Sequence, residues 1–328
     1  MISEKRIRAE MYYIVVDLEW NQSPTGRVIK NKNGPLPYEV IEIGAVKTDE
    51  DFNVISSFDR LVKPQVYLKM HKAVEKLLPL RMKDLQKGRH FTTVMNEFLN
   101  WCGSDVCFCT WGDADLLQLQ RNMRYYGMDI NFPWPFLYLD LQRIYSEQFM
   151  DGVQASSLSD AVDKLNIPKG NSYHRAIYDS QYTAQVAACL DKALVENHKS
   201  IDTYRVPSKT SEEIYLKNGD MEQYVTRTFD SREKASEYRE LRSGKCFLCG
   251  ETMEREVRWF CDNGRNYYAA FRCNNHGPVI GKFKIKKDEL DKFYAVRTLN
   301  LSNESGIEDI VERRRKERER IQQKRYNS

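Results

Sequence analysis

At 328 residues the chain has room for two domains of ordinary size, and its 41% hydrophobic content is typical of a water-soluble protein. No run of about 18 apolar residues occurs, and the charged opening Met1 to Glu10 lacks the apolar core of a signal peptide, which argues against a membrane span and predicts a cytoplasmic protein. The net charge of +4 points only weakly to a nucleic-acid partner, but the tail ERRRKERERIQQKR, Glu312 to Arg325, concentrates basic residues. Cytosolic thiols stay reduced, so paired members of the eight cysteines read as metal ligands, while Cys102, Cys107, Cys109 and Cys189 read as core packing.

In chain order, Tyr12 to Asp17 (YYIVVD) predicts a buried strand. Asn21 to Pro37 is polar, carries Gly and Pro, and reads as a loop. Val40 to Lys47 and Val54 to Val62 are two more strands, joined by the turn-forming Asp49, Asp51 and Asn53. Phe91 to Cys102 has helical spacing, Asp105 to Trp111 is strand-like and Asp113 to Tyr126 helical. Tyr138 to Tyr145 fits either state. Leu158 to Leu165 and Ala176 to Leu194 are predicted helices. This order gives an α/β domain over 1–195, with a mixed sheet and helices packed on it. Residues 196–240 read as a linker ending in a charged helix from Glu233, 241–300 as a small β domain, and 301–328 as a basic C-terminal helix or tail.

The strongest chemical signal is Asp17-Leu18-Glu19 at the predicted end of the first strand. Alternate strand residues share a side, so both carboxylates can converge on one hard cation such as Mg²⁺ or Mn²⁺. Asp113 and Asp115 follow at a strand-to-helix junction; Asp113 suits a capping role, and Asp115, just inside the helix, is the better ligand candidate. His174 and Asp179 stand at the start of the long apolar helix. Phosphodiester hydrolysis needs an activated water, a stabilised leaving oxygen and neutralised phosphoryl charge. Two cations held by shared carboxylates, with Asp17 as the bridging candidate, can meet these needs. A histidine titrating near neutrality can take the proton of the water. Trp20 and Trp111 flank the acids and suit either base stacking or core packing, the second being favoured. His71, His90 and His198 have no ligand partners nearby in sequence.

The segments IVVDLEW, EVIEIGAVK, TWGDADL and HRAIYDSQYTAQV together resemble the DEDDh 3′–5′ exonucleases, within them the histone-mRNA 3′ exonuclease and KapD-like branch, over Met11 to Leu194. The resemblance implies an RNase H-like fold with a mixed five-stranded sheet. It implies metal ligation by Asp17, Glu19, Asp115 and Asp179, and His174 as the residue that activates water. Leu18, Trp20 and Trp111 are candidate substrate contacts. The sequence departs from the family over Leu77 to Leu85, where Pro79, Leu80 and Arg81 replace a threonine-containing turn near the terminal nucleotide. The activity implied is a two-metal 3′–5′ exoribonuclease releasing 5′-mononucleotides, on a single-stranded partner for which RNA comes from the resemblance alone. The alternatives are a single-stranded DNA exonuclease and a non-catalytic binding or regulatory protein on the same scaffold.

Farther along, Cys246 and Cys249 form a CxxC pair and Cys273 and His276 a CxxH pair, each followed directly by Gly. Tetrahedral Zn²⁺ takes such ligands, so one structural ion in a zinc-ribbon-like module is expected. Cys261 lacks a paired partner and reads as structural. Arg258, Trp259, Arg265, Tyr267, Tyr268, Phe271 and Arg272 suit either nucleic-acid contact or a small core. The basic tail adds either salt-sensitive affinity or a solvated helix face.

Overall fold

The computed structural model describes residues 11–150, 156–170, 173–262, 264 and 266–326. The opening segment Met1 to Glu10, and Arg265, lie outside the described residues. The chain divides into two units, through Tyr204 and from Arg205.

The first unit opens with strand β1, Tyr12–Gln22, followed by the short pair β2, Ile29–Asn31, and β3, Gly34–Leu36, then β4, Tyr38–Thr48, and β5, Val54–Leu61. Helices α1, Lys72–Leu77, α2, Met82–Leu85, and α3, Phe91–Cys102, lead to β6, Val106–Thr110. Then come α4, Asp115–Tyr125, β7, Leu137–Asp140, α5, Leu141–Phe149, α6, Leu158–Lys164, α7, Ala176–Ala187, α8, Lys192–Asn197, and β8, Ser200–Ile201. The sheet order is β5-β4-β1-β6-β7-β8. β1 and β4, and β4 and β5, run antiparallel; β1, β6 and β7 run parallel. This is the mixed sheet expected, with one strand more than the five predicted. The sixth, β8, is a two-residue edge that pairs with β7 inside the stretch read as linker.

β1 shows why the site forms where it does. Alternate residues serve opposite faces. Ile14, Val16 and Leu18 enter a core with Phe91, Val94 and Phe98 of α3 and Leu116 and Leu119 of α4. Tyr13 and Val15 enter a second core with Ile144 of α5, Val162 of α6 and Ile177 and Ala184 of α7. Asp17 and Glu19 continue this second row in the strand alternation, past the last apolar residue.

Several elements differ from expectation. β1 does not end at Asp17 but runs to Gln22, because β4 pairs with it as far as Gln22↔Tyr38. The predicted loop Asn21 to Pro37 contains the β2–β3 hairpin. Tyr138 to Tyr145 is a strand passing directly into a helix capped by Asp140, whose side chain accepts from Arg143 N. The single helix Ala176 to Leu194 is two, since Asp191 caps a new start at Ala193 and Leu194. Cys102, Cys107 and Cys109 are buried, but Cys189 is exposed at that break.

The second unit holds β9, Ile214–Asn218, β10, Met221–Val225, α9, Arg232–Ser236, β11, Glu254–Asp262, β12, Asn266–Cys273, β13, Gly277–Lys287, β14, Phe293–Leu301, and α10, Glu304–Tyr326. Its antiparallel sheet has the order β11-β12-β13-β14-β10-β9. The expected linker is therefore largely folded. β9 and β10 form a hairpin with a two-residue Gly219-Asp220 turn, and Gly219 takes φ +48°. The charged helix expected from Glu233 is one short helix and a 3₁₀ turn, Glu240–Arg242. The aromatics of the zinc-ribbon-like region are core: Tyr268 and Phe271 are buried, and Tyr267 stacks on Phe283 at 4.3 Å between ring centroids. The basic tail is the long helix α10, which packs across β11, β12 and β13. No helix among the described residues is long and apolar enough to cross a membrane.

Candidate active site and metal centres

Within β1, Asp17 lies opposite Gly44 of β4, and Glu19 opposite Glu42. Gly44 is what lets α7 approach. A Cβ there would drive into the backbone of Ala176 and Ile177, so the missing side chain seats the start of α7 directly on the sheet. Glu42, fully buried, fixes this seat. Its carboxylate accepts from Arg175 Nε at 2.8 Å and from Ala176 N at 3.3 Å, and Arg175 Nη2 also lies 3.7 Å from Asp59 of β5.

Asp179, in the first turn of α7, accepts through Oδ2 from His174 N at 2.9 Å. That bond folds the chain before the helix back over it. His174 pays for the bend with φ +67°, a left-handed conformation unfavourable for a side chain with a Cβ. One ligand atom from each of Glu19, His174 and Asp179 lies within 4.8 Å of the others. Asp115 opens α4, and its Oδ1 accepts from Leu18 N at 3.1 Å, tying the second carboxylate element to β1 between Asp17 and Glu19. Asp113 is not the cap expected: Ala114 holds the N-cap position, without a side-chain bond.

The acids oppose one another's ionisation. Burial, then Asp179, Glu42 and Asp115, push Glu19 up to about 8, with Arg175 opposing. Burial pushes Asp115 up to about 7 against the lowering effect of the Leu18 amide. Asp17 rises well above the usual carboxylate range through burial and the charges of Asp115, Glu19 and Asp179. Asp179 is raised by burial, opposed by the His174 amide and ring. Its Oδ1 is buried with no hydrogen-bond partner. An all-oxygen carboxylate set, mutually repelling and with an orphaned buried oxygen, fits hard divalent cations.

The candidate substrate contacts fare differently. The Leu18 side chain is only 4% exposed and lies in the core, so its contribution is its amide, not the side-chain contact expected. Trp20 packs on the α3–α4 core and beside Tyr38; Trp111 packs on the other core and donates through Nε1 to Ser156 O at 3.2 Å. Both match the core reading. In the departing segment, Leu80 is buried with Ile41, Leu78 and Leu85, so it serves a satellite core. His71 caps α1 by accepting from Ala73 N, His90 precedes α3, and His198 is buried against Glu147.

Two acids went unrecognised in the sequence. Glu42 is one. Glu39 is the other, with its carboxylate accepting from the amides of Gln65, Val66 and Tyr67 and from Tyr126 Oη. The available signal was two glutamates in the otherwise apolar strand EVIEIGAV.

In the second unit, Cys246, Cys249, Cys273 and His276 place one ligand atom each within 4.8 Å of one another. Cys249 Sγ lies 3.6 Å from Cys273 Sγ, and His276 Nδ1 lies 3.6 Å from the Sγ atoms of Cys246 and Cys273. Ligands about 2.3 Å from a tetrahedral zinc lie somewhat under 4 Å apart, so the cluster has the right size. Gly250 and Gly277 take φ +78° and +79° and turn the chain after each pair. Cys261 lies in β11 and outside the cluster.

Residues 32–187 match the family model for exonucleases, RNase_T; the match begins after β1, so Asp17 and Glu19 precede it. The chain is 26% identical over 170 residues to a probable 3′-5′ exonuclease, KapD, of Bacillus subtilis (strain 168), covering 51% of this chain and 78% of that protein. Among solved structures, the nuclease domain of 3′hExo, a DEDDh family member bound to rAMP, overlaps with a TM-score of 0.49 at 15% identity, over 60% of this chain and 98% of that one. An E. coli ExoI–ssDNA complex in its zinc-bound form overlaps with a TM-score of 0.44 at 13% identity, over 80% of this chain and 54% of that one. Residues 32–187 thus carry the match to the exonuclease family, and the chain is a metal-dependent nuclease.

Proposed function

We propose that the chain is a 3′–5′ exoribonuclease that releases 5′-mononucleotides, with Asp17, Glu19, Asp115 and Asp179 holding two Mg²⁺ or Mn²⁺ ions and His174 as general base. The observation that carries this reading is the convergence of Glu19, His174 and Asp179 within 4.8 Å, beside Asp17 and Asp115 in one electrostatic cluster. When bound, the cations supply Lewis acidity and charge neutralisation at the scissile phosphate. A ring nitrogen of His174 takes a proton from water as its oxygen attacks phosphorus. The bond from phosphorus to the 3′-oxygen of the preceding nucleotide breaks, and that oxygen leaves with a proton from solvent. Asp179 positions His174 by accepting a hydrogen bond from its backbone N–H; Glu42 and Arg175 hold the start of the helix that carries Asp179 and that His174 precedes. The polarity follows the KapD likeness, and RNA rather than single-stranded DNA follows the family resemblance. We also assign one structural Zn²⁺ to Cys246, Cys249, Cys273 and His276 on their separations, and a cytoplasmic location.

The test uses 5′-labelled and 3′-labelled oligonucleotides of RNA and of DNA, with Mg²⁺ and with chelator. Chelator-sensitive release of mononucleotides from the 3′ end, faster on RNA and abolished in Asp17→Ala, is expected. Internal cuts, or 5′-end release, would overturn the polarity; equal or faster rates on DNA would overturn the RNA assignment. Elemental analysis of the full chain should find one zinc per chain, lost in Cys249→Ser/Cys273→Ser.

A further inference from the structure

α10 carries a mixed charge pattern, and most of its cations in the described part are matched. Arg315 donates to Glu312 at 2.7 Å and to Glu319 at 2.6 Å, Lys316 lies 3.4 Å from Glu312, and Arg320 donates to Glu317 at 2.7 Å. Arg313 lies over the Tyr268 ring, 5.5 Å from its centroid. Arg314 and Arg318 are different. Four residues apart, they share one helix face. The residues three and four positions from Arg318 are Arg314, Arg315, Ile321 and Gln322, with no acid among them. α10 packs along β11, where Arg258 is exposed. Burial and the charges of Arg318 and Arg258 hold the Arg314 guanidinium below its ordinary proton affinity, so Arg314 lies in the field of both. No hydrogen bond or ion pair to any of the three occurs among the described residues.

Folding thus gathers three guanidinium groups from two elements, none with an ion-pair partner among the described residues, although α10 elsewhere supplies glutamates to its arginines. Such a cluster opposes folding unless an anion completes it. Guanidinium forks match phosphate oxygens, and neighbouring forks match successive phosphates of a strand. We propose that Arg258, Arg314 and Arg318 form a phosphate-binding patch on the second unit that holds a nucleic-acid strand by its backbone. The patch rests on the nuclease reading for the identity of its ligand, and it gives the second unit a task that its buried aromatics do not perform.

The experiment measures anisotropy of a fluorescein-labelled 20-nucleotide oligouridylate on full-length protein in the Asp17→Ala background, across a salt series. Arg314→Gln/Arg318→Gln should weaken binding about tenfold near 0.1 M salt and reduce the slope of log K against log salt by about 1.4, two phosphate contacts' worth for a single strand. Arg258→Gln, on a different element, should weaken binding about threefold. The charge-matched control Arg315→Gln/Lys316→Gln removes cations that already have partners and should weaken binding less than twofold. Equal losses in test and control pairs would show a diffuse charge effect and overturn the patch. Unchanged binding in both Arg314→Gln/Arg318→Gln and Arg258→Gln would do the same, as would tighter binding of wild type to phosphatidylglycerol vesicles than to the oligonucleotide. Hydrolysis of a labelled trinucleotide by wild type is scored separately. Its absence counts against the nuclease reading, whereas hydrolysis with no effect of the arginine variants counts against the patch alone.

Discussion

Glu19 shows how the site stores its need for cations. Its carboxyl rises from an ordinary value of 4.5 to about 8 because burial and three neighbouring acids oppose its charge, with only Arg175 in its favour. A group whose folded-state pKa is raised binds more protons folded than unfolded. Its stabilising contribution is full below the unfolded value and is lost as pH rises through the folded one. The metal-free protein should therefore lose stability between about pH 5 and pH 8, and Asp115, raised to about 7, adds to the loss over the same window. Thermal melts of metal-free protein should show a midpoint falling across that window, and saturating Mg²⁺ should flatten the curve. Glu19→Gln removes the buried charge, so its metal-free midpoint at pH 8 should lie about 3 °C or more above wild type, at roughly 2–4 °C per kcal/mol, while its activity is lost. A midpoint independent of pH would show that the acids do not crowd one another. At the neighbouring position, His174→Ala should lower kcat by about 10²–10⁴ with Mg²⁺ saturating and leave oligonucleotide affinity nearly unchanged. Near wild-type turnover would remove His174 from the role of base.

At the scale of elements, the meeting of β4 and α7 decides whether these residues come together at all. Gly44→Ala sets a methyl against the backbone of Ala176 and Ile177, which have no flexible side-chain end to move aside. The helix start must shift, taking His174 and Asp179 with it. The expected cost is about 1–3 kcal/mol in urea unfolding, with a loss of kcat far larger than the change in KM. Unfolding and turnover both at wild-type levels would mean that the close approach is not what seats the helix. This contact also marks the limit of what could be read in the sequence. Asp17, Glu19, Asp115, His174 and Asp179 could be picked out as candidates because four acids and a histidine at the edges of apolar runs stand out. α3 was legible to the residue because its apolar spacing is regular. Gly44 and Glu42 were not, since their meaning lies in an element more than 130 residues away. The β9–β10 hairpin was missed for a different reason. Its Asn218-Gly219-Asp220 turn signal was present, but polar residues such as Lys217, Glu222 and Gln223 masked the strand pattern, and pairing with β14 supplies the burial that the local sequence does not advertise.

At the scale of the whole molecule, the two units have separate cores, and the cysteine cluster belongs to only one of them. Cys246 and Cys273 are themselves members of the core that includes Phe247, Phe271, Val279 and Leu299, so the proposed zinc clamp is built into one of the second unit's cores, beside another around Tyr224, Leu241 and Phe283. Structural zinc contributes about 10–16 kcal/mol in small modules, comparable with or above the whole stability of a typical domain, about 5–15 kcal/mol. Removing the clamp should therefore unfold the second unit rather than loosen it. The first unit's two main cores are built from residues up to Val195, and its edge strand β8 adds the buried Ile201. In the full chain, Cys249→Ser/Cys273→Ser should consequently replace a protease-resistant molecule with a resistant fragment ending near Tyr204, the boundary between the units. Far-ultraviolet circular dichroism should lose the contributions of the second unit's sheet and of α10 while keeping those of α3, α4 and α7. Thiol-directed mercurial should reproduce the cleavage pattern in wild type by displacing zinc, and added zinc after its removal should reverse it. If the variant resists protease throughout its length, the four ligands decorate a unit whose aromatic core is sufficient by itself, and the zinc assignment loses its energetic basis. If the first unit is digested together with the second, the two do not fold as independent units.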